Sequence, residues 1–387
     1  MREFIIFSYL LAVRVFFTLF KSLPLADKVV FLCSFADNPM AVYEALKQQK
    51  LDVKVVFLCN RRCFLAFKAT GVPTFLLESR NVVHTIIGFY HLATARRVIV
   101  DNYYGLLAST KFKKGVTCTQ IWHSVGAIKQ FGAKDLANAN RHPVALKRFK
   151  RVYHRFDYIV VASDLMMEIF TEAFLVEQAV FLKTGTPRTD FFFQTSEHEI
   201  LQAKFYRQNP LLKAKKVILY APTFRKNRDE FRELPINLPK LAEALACEYV
   251  LLIKLHPKVA AMLTLDLEAK YQDFVFDYSD YPSVNELLVI TDVLITDYSS
   301  IPMEFVFFRR KMVFFAYDSA EYQKNNGLWE DLTTALPGPI VNTTEAVIEA
   351  ILNEEIDLIK LDAYAKKWAT YCDGTASFQL INAVFGS

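Results

Sequence analysis

An imidazole placed directly behind an apolar run is the first feature of this chain suited to moving a proton. In Gln120-Ile-Trp-His-Ser-Val-Gly-Ala-Ile-Lys129, His123 closes a buried-type strand, and Ser124, Gly126 and Lys129 follow it. A free imidazole titrates near neutral pH, so His123 is placed as a general base. Gly126 and its small neighbours let backbone come close to a ligand. Four further polar clusters stand behind apolar runs. Lys183-Thr-Gly-Thr-Pro-Arg-Thr-Asp190 turns at Gly185 and Pro187 and presents Arg188, whose guanidinium suits phosphate. In Ile218-Leu-Tyr-Ala-Pro-Thr-Phe-Arg225, the Pro222-Thr223 exit offers a hydroxyl and N–H groups to a nucleotide, and Arg225 adds charge. In Leu251-Leu-Ile-Lys-Leu-His-Pro257, strand alternation puts Lys254 and His256 on one side, a pair fit to clamp a diphosphate. Finally, an apolar strand is followed by Thr296, Asp297, Ser299 and Ser300 and then by an apolar helix expected from about Ser300, an arrangement that attracts anions. Core hydrogen bonding, capping and solvated charge are the plainer readings of these residues taken singly. They do not account for a lysine on an apolar strand, nor for so dense a polar run behind a buried one.

The elements that must position these groups alternate. Val29–Cys33, Val53–Leu58, Val98–Val100, Thr119–Trp122 and Tyr158–Ala162 read as buried parallel strands with helices between them. One such helix begins at Pro39, with Asp37-Asn38 able to cap it. A second series follows: Val217–Tyr220, Tyr249–Leu255, Phe274–Phe276, Val293–Thr296 and Met312–Phe315. Helices intervene at about Leu238–Cys247, Ser283–Val289 and Ser300–Phe308. Two βα series imply an α/β pair of doubly wound Rossmann-type domains facing across a cleft. The expected divisions are residues 1–24, 25–184, 185–356 and 357–387, with the boundary near Thr184–Arg188 and the last helices able to pack back on the first domain.

Composition narrows the function classes. The 387 residues are 53% hydrophobic, with Gly 11 and Pro 14, which excludes a disordered or collagenous chain. The six cysteines form neither a disulfide framework nor a zinc pattern and read as reduced thiols. No Walker or dinucleotide glycine fingerprint occurs, and no metal-ligand spacing, so neither cofactor nor metal is expected. Residues 1–185 carry a net charge of +12 and the remainder −7, which points to an anionic partner for the first half. Phe4–Phe20 is an apolar run interrupted by Arg14, short for a spanning helix, and reads as an interfacial helix with Arg14 snorkelling to head groups. The stretch from Arg141 to Arg155 holds six Lys/Arg and no acidic residue. Its Lys147, Arg148, Lys150 and Arg151 are expected to meet an anionic membrane.

Trp122-His123, Gly185-Thr-Pro-Arg-Thr-Asp190, Ala221-Pro-Thr-Phe-Arg225, Lys254-Leu-His-Pro257 and Thr296-Asp-Tyr-Ser-Ser300 together resemble the CDP-glycerol glycerophosphotransferase family of wall teichoic acid synthesis. The resemblance runs from about Asp27 to Ile340 and includes Asp37-Asn-Pro39. The first motif here, Trp122-His-Ser-Val-Gly-Ala-Ile-Lys129, is most similar to the primase branch. The sequence departs from the family pattern at Glu304, where an Asp is usual, and at Asn326-Gly327, where Arg-Gly is frequent.

The resemblance implies a GT-B-like fold and a transferase that moves one glycerol phosphate from CDP-glycerol to an undecaprenyl-diphosphate-linked ManNAc-GlcNAc disaccharide, releasing CMP. It would work peripherally on the cytoplasmic face of the cell membrane. His123 would be the base, with His256 a second catalytic candidate. Ser124, Gly126, Arg188, Pro222, Thr223, Arg225, Lys254, Thr296, Asp297, Ser299, Ser300 and Glu304 would bind the donor. Arg14, Lys129 and the basic stretch would serve the acceptor and membrane. The alternatives are a glycerol- or ribitol-phosphate polymerase, a GT-B glycosyltransferase, and a non-catalytic nucleic-acid binder. Nucleic acid is disfavoured because no aromatic stacking motif accompanies the charge.

Overall fold

The computed structural model describes residues 2–79, 81–177, 180–223, 225, 234–260, 271, 273–331, 336–353 and 355–386. They gather into two compact units: Met1–Gly126 with Gln130–Phe191 and Trp368–Ser387, and Phe192–Lys367 with Ala127–Lys129. The chain leaves the first unit at Phe191, beyond the 184–188 turn expected to divide the domains. Arg188 and Asp190 are the reason, since both are hydrogen-bonded to first-unit partners.

In the first unit seven strands form one parallel sheet: β1 (Ala26–Cys33), β2 (Lys54–Cys59), β3 (Thr74–Leu76), β4 (Ala95–Val100), β5 (Thr117–Gln120), β6 (Tyr158–Val160) and β7 (Phe181–Leu182). Their order is β3-β2-β1-β4-β5-β6-β7. Val30 of β1 lies beside Val56 of β2 on one side and Val98 of β4 on the other. From Val29 to Cys33 every residue of β1 is buried, as expected of a parallel strand covered on both faces. The helices are α1 (Arg2–Phe20), α2 (Asp37–Gln48), α3 (Phe64–Lys68), α4 (Val82–Ala93), α5 (Pro143–Tyr153) and α6 (Asp164–Phe174). The chain order reverses between β1 and β4, so the loops behind these two strands flank the switch point where doubly wound sheets take their ligands.

Helix α1 is long and apolar enough, by length and composition, to cross a membrane. It buries Val13 and Phe17, and its Phe16 and Phe20 rings lie against Phe89 and Tyr90 of α4. Phe4, Ile5, Phe7, Leu11, Val15 and Leu19 remain exposed. At the other end of the chain, the helix Ala376–Phe385 packs on α2. Leu380, Ile381 and Val384 join Val42 and Leu46 in the core under β1. Its N-terminus is held by Asp190, whose carboxylate accepts from the Ala376 and Ser377 amides at 2.8 Å each.

The second unit repeats the plan with six parallel strands: β8 (Lys216–Tyr220), β9 (Tyr249–Ile253), β10 (Val275–Asp277), β11 (Val293–Thr296), β12 (Lys311–Phe315) and β13 (Ile340–Val341). Their order is β10-β9-β8-β11-β12-β13, with the reversal between β8 and β11. The helices Leu238–Leu245 and Val284–Ile290 start at Asn237 and Ser283, whose side chains accept from the third amide beyond. The helix expected over Ser300–Phe308 is a single turn, Pro302–Phe305, followed by a 3₁₀ turn over Val306–Phe308. A left-handed Arg309 closes it.

Candidate functional site

Asp101 follows β4 directly and organises the switch point of the first sheet. Its carboxylate is fully buried and accepts from the amides of Ser34 (2.9 and 2.8 Å to its two oxygens) and Phe35 (2.8 Å), and from the Tyr104 hydroxyl at 3.1 Å. Burial pushes its pKa up to about 7, against the pull of those donors. The Asp101 carbonyl oxygen lies 3.2 Å from Nδ1 of His123. A carbonyl only accepts, so Nδ1 carries the proton and Nε2 keeps its lone pair. Phe35 stacks on the imidazole, ring centroids 4.7 Å apart, and the Trp122 ring lies at 4.3 Å. Burial lowers His123 to about 4, and the nearby Arg188 charge adds to the effect while the Asp101 carbonyl opposes it. At neutral pH the ring is therefore uncharged, the form a general base requires.

The backbone carrying His123 is held in an unusual shape. Expected within a strand, Trp122 instead adopts φ +56°, and β5 ends at Gln120. Left-handed backbone is unfavourable for a bulky residue and persists where neighbours over-determine it. The Trp122 amide donates to Gln120 Oε1 at 2.9 Å, and its carbonyl accepts from Asn38 Nδ2 at 2.9 Å. The ring packs on Phe131 and Phe170. Asn38, read from sequence as a helix cap, lies inside α2 and is buried. Its Oδ1 accepts from the Arg188 amide at 2.7 Å. Arg188 in turn donates from Nη1 to the His123 carbonyl at 2.9 Å and pairs with Asp37 at 3.2 Å. Arg188, expected as a phosphate-binding cation, thus braces the His123 loop. The Ser124 hydroxyl donates to the Gly126 carbonyl at 2.7 Å and closes its own turn, and Gly126 is buried. Gly185 supports the Arg188 turn at φ +77°, where an added Cβ would lie 2.3 Å from the Tyr371 carbonyl oxygen.

In the second unit the expected donor groups converge behind β8 and β11, and most are engaged with one another. Asp297, nearly fully buried, accepts from the Thr223 amide (2.9 Å) and hydroxyl (2.6 Å), the Tyr298 amide (2.6 Å) and Arg225 Nη2 (2.7 Å). Arg225 also donates to both Asp318 oxygens and to the Thr223 carbonyl, with Tyr298 and Tyr322 rings at 4.9 and 4.8 Å. Arg225, Asp297 and Thr223 thus form an internal knot that shapes the loop behind half-buried Pro222. Thr296 is buried and donates to the Ala221 carbonyl at 2.7 Å, with Ser299 Oγ 2.9 Å away. Ser300 is half-buried and Glu304 buried. The helix behind them is the single turn Pro302–Phe305.

Lys254 donates from Nζ to the carbonyls of Ser279 and Tyr281, each at 2.6 Å, and so fixes the loop behind β10. This explains a lysine on an apolar strand in part by packing. His256 is exposed beyond the end of β9, while Leu255 before it is buried. Lys129 lies 5.1 Å over the Tyr322 ring and bridges Leu328, within the second unit. Arg14, Lys147, Lys150 and Arg151 are exposed. Arg148 departs from that group: its side chain is 13% exposed and pairs with Glu3 at 3.1 Å, tying α5 to α1.

Asn38, Asp101 and Asp318 were not recognised as site residues from the sequence. Asp101 and Asp318 each stand shortly behind a buried strand, the rule that found His123. Asn38 acts through partners more than 80 positions away, which no local pattern reveals.

Over residues 15–386 the chain matches the model of the CDP-glycerol:poly(glycerophosphate) glycerophosphotransferases. It is 32% identical over 360 residues to a teichoic acid glycerol-phosphate primase of Bacillus subtilis (strain 168), covering 92% of this chain and 91% of that one. It is 31% identical over 386 residues to a teichoic acid glycerol-phosphate primase of Bacillus spizizenii, covering 99% of each. A structure of the wall teichoic acid polymerase TagF matches with a TM-score of 0.80 at 24% identity, over 97% of this chain and 93% of that one, which shows a shared GT-B-like fold. The chain belongs to the CDP-glycerol:poly(glycerophosphate) glycerophosphotransferase family and is a transferase of teichoic acid biosynthesis.

Proposed function

We propose that this protein is a primase that transfers one glycerol phosphate from CDP-glycerol to a lipid-diphosphate-linked disaccharide. The observation that carries the reading is the state of His123: uncharged, with Nδ1–H held by the Asp101 carbonyl and Nε2 left as an acceptor. In the reaction, an acceptor hydroxyl loses its proton to Nε2 as its oxygen attacks the glycerol-bearing phosphorus. The bond from that phosphorus to the bridging oxygen breaks, and CMP leaves with the electron pair. General-base assistance of this kind contributes about 10²–10⁴-fold. In the second unit, His256 and the Lys254 charge beside it are the groups we assign to the diphosphate. Ser300 and Glu304 are assigned to donor hydroxyls.

The exposed apolar face of α1 and the exposed Lys147, Lys150 and Arg151 of α5 support peripheral association with an anionic membrane, on the cytoplasmic face where a nucleotide-linked donor is available. The two primase relatives favour addition of a single unit. A poly(ribitol-phosphate) polymerase of Bacillus spizizenii, 32% identical over 378 residues, supports repeated addition as the second reading. Incubation with CDP-glycerol and a short-chain lipid-diphosphate disaccharide, read by product mass, tests the proposal. One added glycerol phosphate with release of CMP is expected. A ladder of products would make the protein a polymerase, and a nucleoside diphosphate product would make it a glycosyltransferase.

A further inference from the structure

The first unit contains a cavity of about 1120 Å³ between α1, α4 and α5, at the upper end of the range that takes organic ligands. Its walls are mostly apolar, with Ile6 and Leu10 of α1 and Phe149 of α5 among them. Polar groups share the lining. The Tyr9 hydroxyl is buried there without a hydrogen-bond partner among the described residues, and Arg148 and Arg141 border the space.

This cavity shares Glu78, Ser79 and Tyr103 with a second, mostly polar cleft of about 580 Å³, lined also by Ser34, Asn60, Arg61 and Tyr104. Glu78 sits at the junction on left-handed backbone, φ +50°. The polar cleft reaches Ser34, which precedes the Phe35 that packs on the base. Ser34 Oγ lies 2.8 Å from the Tyr104 hydroxyl, Ser34 and Phe35 hang on the Asp101 carboxylate, and Phe35 stacks on His123. Arg61 is exposed in this cleft and makes no hydrogen bond or ion pair among the described residues. Within one unit, therefore, an apolar chamber under α1 adjoins a polar cleft that carries a free guanidinium and borders the loop packed on His123.

We infer that the chamber holds the first isoprenoid units of the acceptor, that Arg61 reads its diphosphate, and that the polar cleft carries the sugar to His123. The assignment rests on the proposed lipid-linked acceptor and adds where it binds. An apolar chain gains by leaving water for such walls, and a diphosphate gains most from a guanidinium fork at the polar end. Only part of a long polyprenyl chain fits this volume. The remainder would leave along the exposed face of α1.

The test uses the full chain and farnesyl diphosphate, an isoprenyl diphosphate without sugar, as the binding probe. Ile6→Trp and Thr85→Trp fill the chamber from α1 and from α4, and Arg61→Ala removes the fork. Each variant is expected to weaken farnesyl diphosphate roughly tenfold or more by calorimetry, with CDP-glycerol binding and thermal midpoint unchanged. Each should also raise the acceptor KM, while inorganic diphosphate responds to Arg61→Ala alone. Using two opposed walls keeps the test valid where one tryptophan disturbs the fold. Unchanged farnesyl diphosphate binding in the folded variants would overturn the assignment even if glycerol phosphate transfer is observed. Loss of probe binding in the variants of a protein that transfers nothing would support the chamber and count against the primase reading alone.

Discussion

The low pKa of His123 makes a pH experiment decisive. The ring is held at about 4 mainly by burial, with the Arg188 charge second, and Phe35 supplies one stacked wall at 4.7 Å. A base must be unprotonated, so kcat/KM should fall on the acid side only as pH approaches that value. At pH 5 a group of pKa 4 is about 90% neutral, whereas a solvated imidazole of pKa 6.5 is about 3% neutral. Phe35→Ala opens the stacked wall to water and should move the acid limb up toward 6.5. Full exposure would therefore cut the ratio of activity at pH 5 to that at pH 8 by about 30-fold relative to the parent protein. The assay is initial CMP release at subsaturating acceptor from pH 4.5 to 8.5, with tertiary structure checked at each pH. An acid limb already near 6.5 in the parent protein, or one that does not move in Phe35→Ala, would refute the argument from burial. His123→Asn should remove the limb altogether.

The other predictions address the supports. Asn38→Ala removes the acceptor of the Arg188 amide and the donor to the Trp122 carbonyl. Orphaned buried groups cost ~1–3 kcal/mol each, so chemical denaturation should show a drop of that order together with reduced kcat. Arg225→Met leaves the buried Asp297 and Asp318 uncompensated. A loss of ~3–5 kcal/mol in stability is expected, and a donor KM change with unchanged stability would mean that Arg225 contacts ligand directly. Asp101 has a folded pKa near 7 against ~4 unfolded, so the folded state binds the extra proton in between. Its contribution to stability therefore declines as pH rises from about 4 through 7, and Asp101→Asn should flatten that part of the stability profile. Charge reversal at Lys147, Lys150 and Arg151 should reduce cosedimentation with anionic vesicles in a salt-sensitive way. Arg148→Glu should instead lower the thermal midpoint by breaking its pair with Glu3.

Strands were legible in the sequence where burial on both faces makes them continuous apolar runs, as in β1, β2, β8, β9 and β11. The edge strands β3, β7 and β13 were missed. Each is two or three residues long and partly exposed, too short for any periodicity to register. For the site, the rule that ligand groups follow strand ends found His123, Lys254 and Asp297. It could not distinguish a cation that meets ligand from one that braces a loop. The bracing by Arg225 and Arg188 was illegible because their partners, Asp318 and the His123 carbonyl, lie 93 and 65 positions away. The shape at Trp122 was illegible for the same reason. Its left-handed backbone is imposed by Asn38 and a ring cluster, against local preference.

The seam between Asp190 and the Ala376 and Ser377 amides bears on how the protein is made. Synthesis proceeds from the N-terminus, and domains tend to fold as they emerge. The first unit, however, needs Leu380, Ile381 and Val384 to finish the core beneath β1, and its Gly185 turn rests on Tyr371. While the intervening 176 residues of the second unit, Phe192–Lys367, are being translated, that apolar floor stands open. The half of the chain translated first is thus the last to be completed. A ribosome stalled within the second unit would hold an α2 face accessible to chaperones, and a protein shortened by its final helix would keep that face exposed after release.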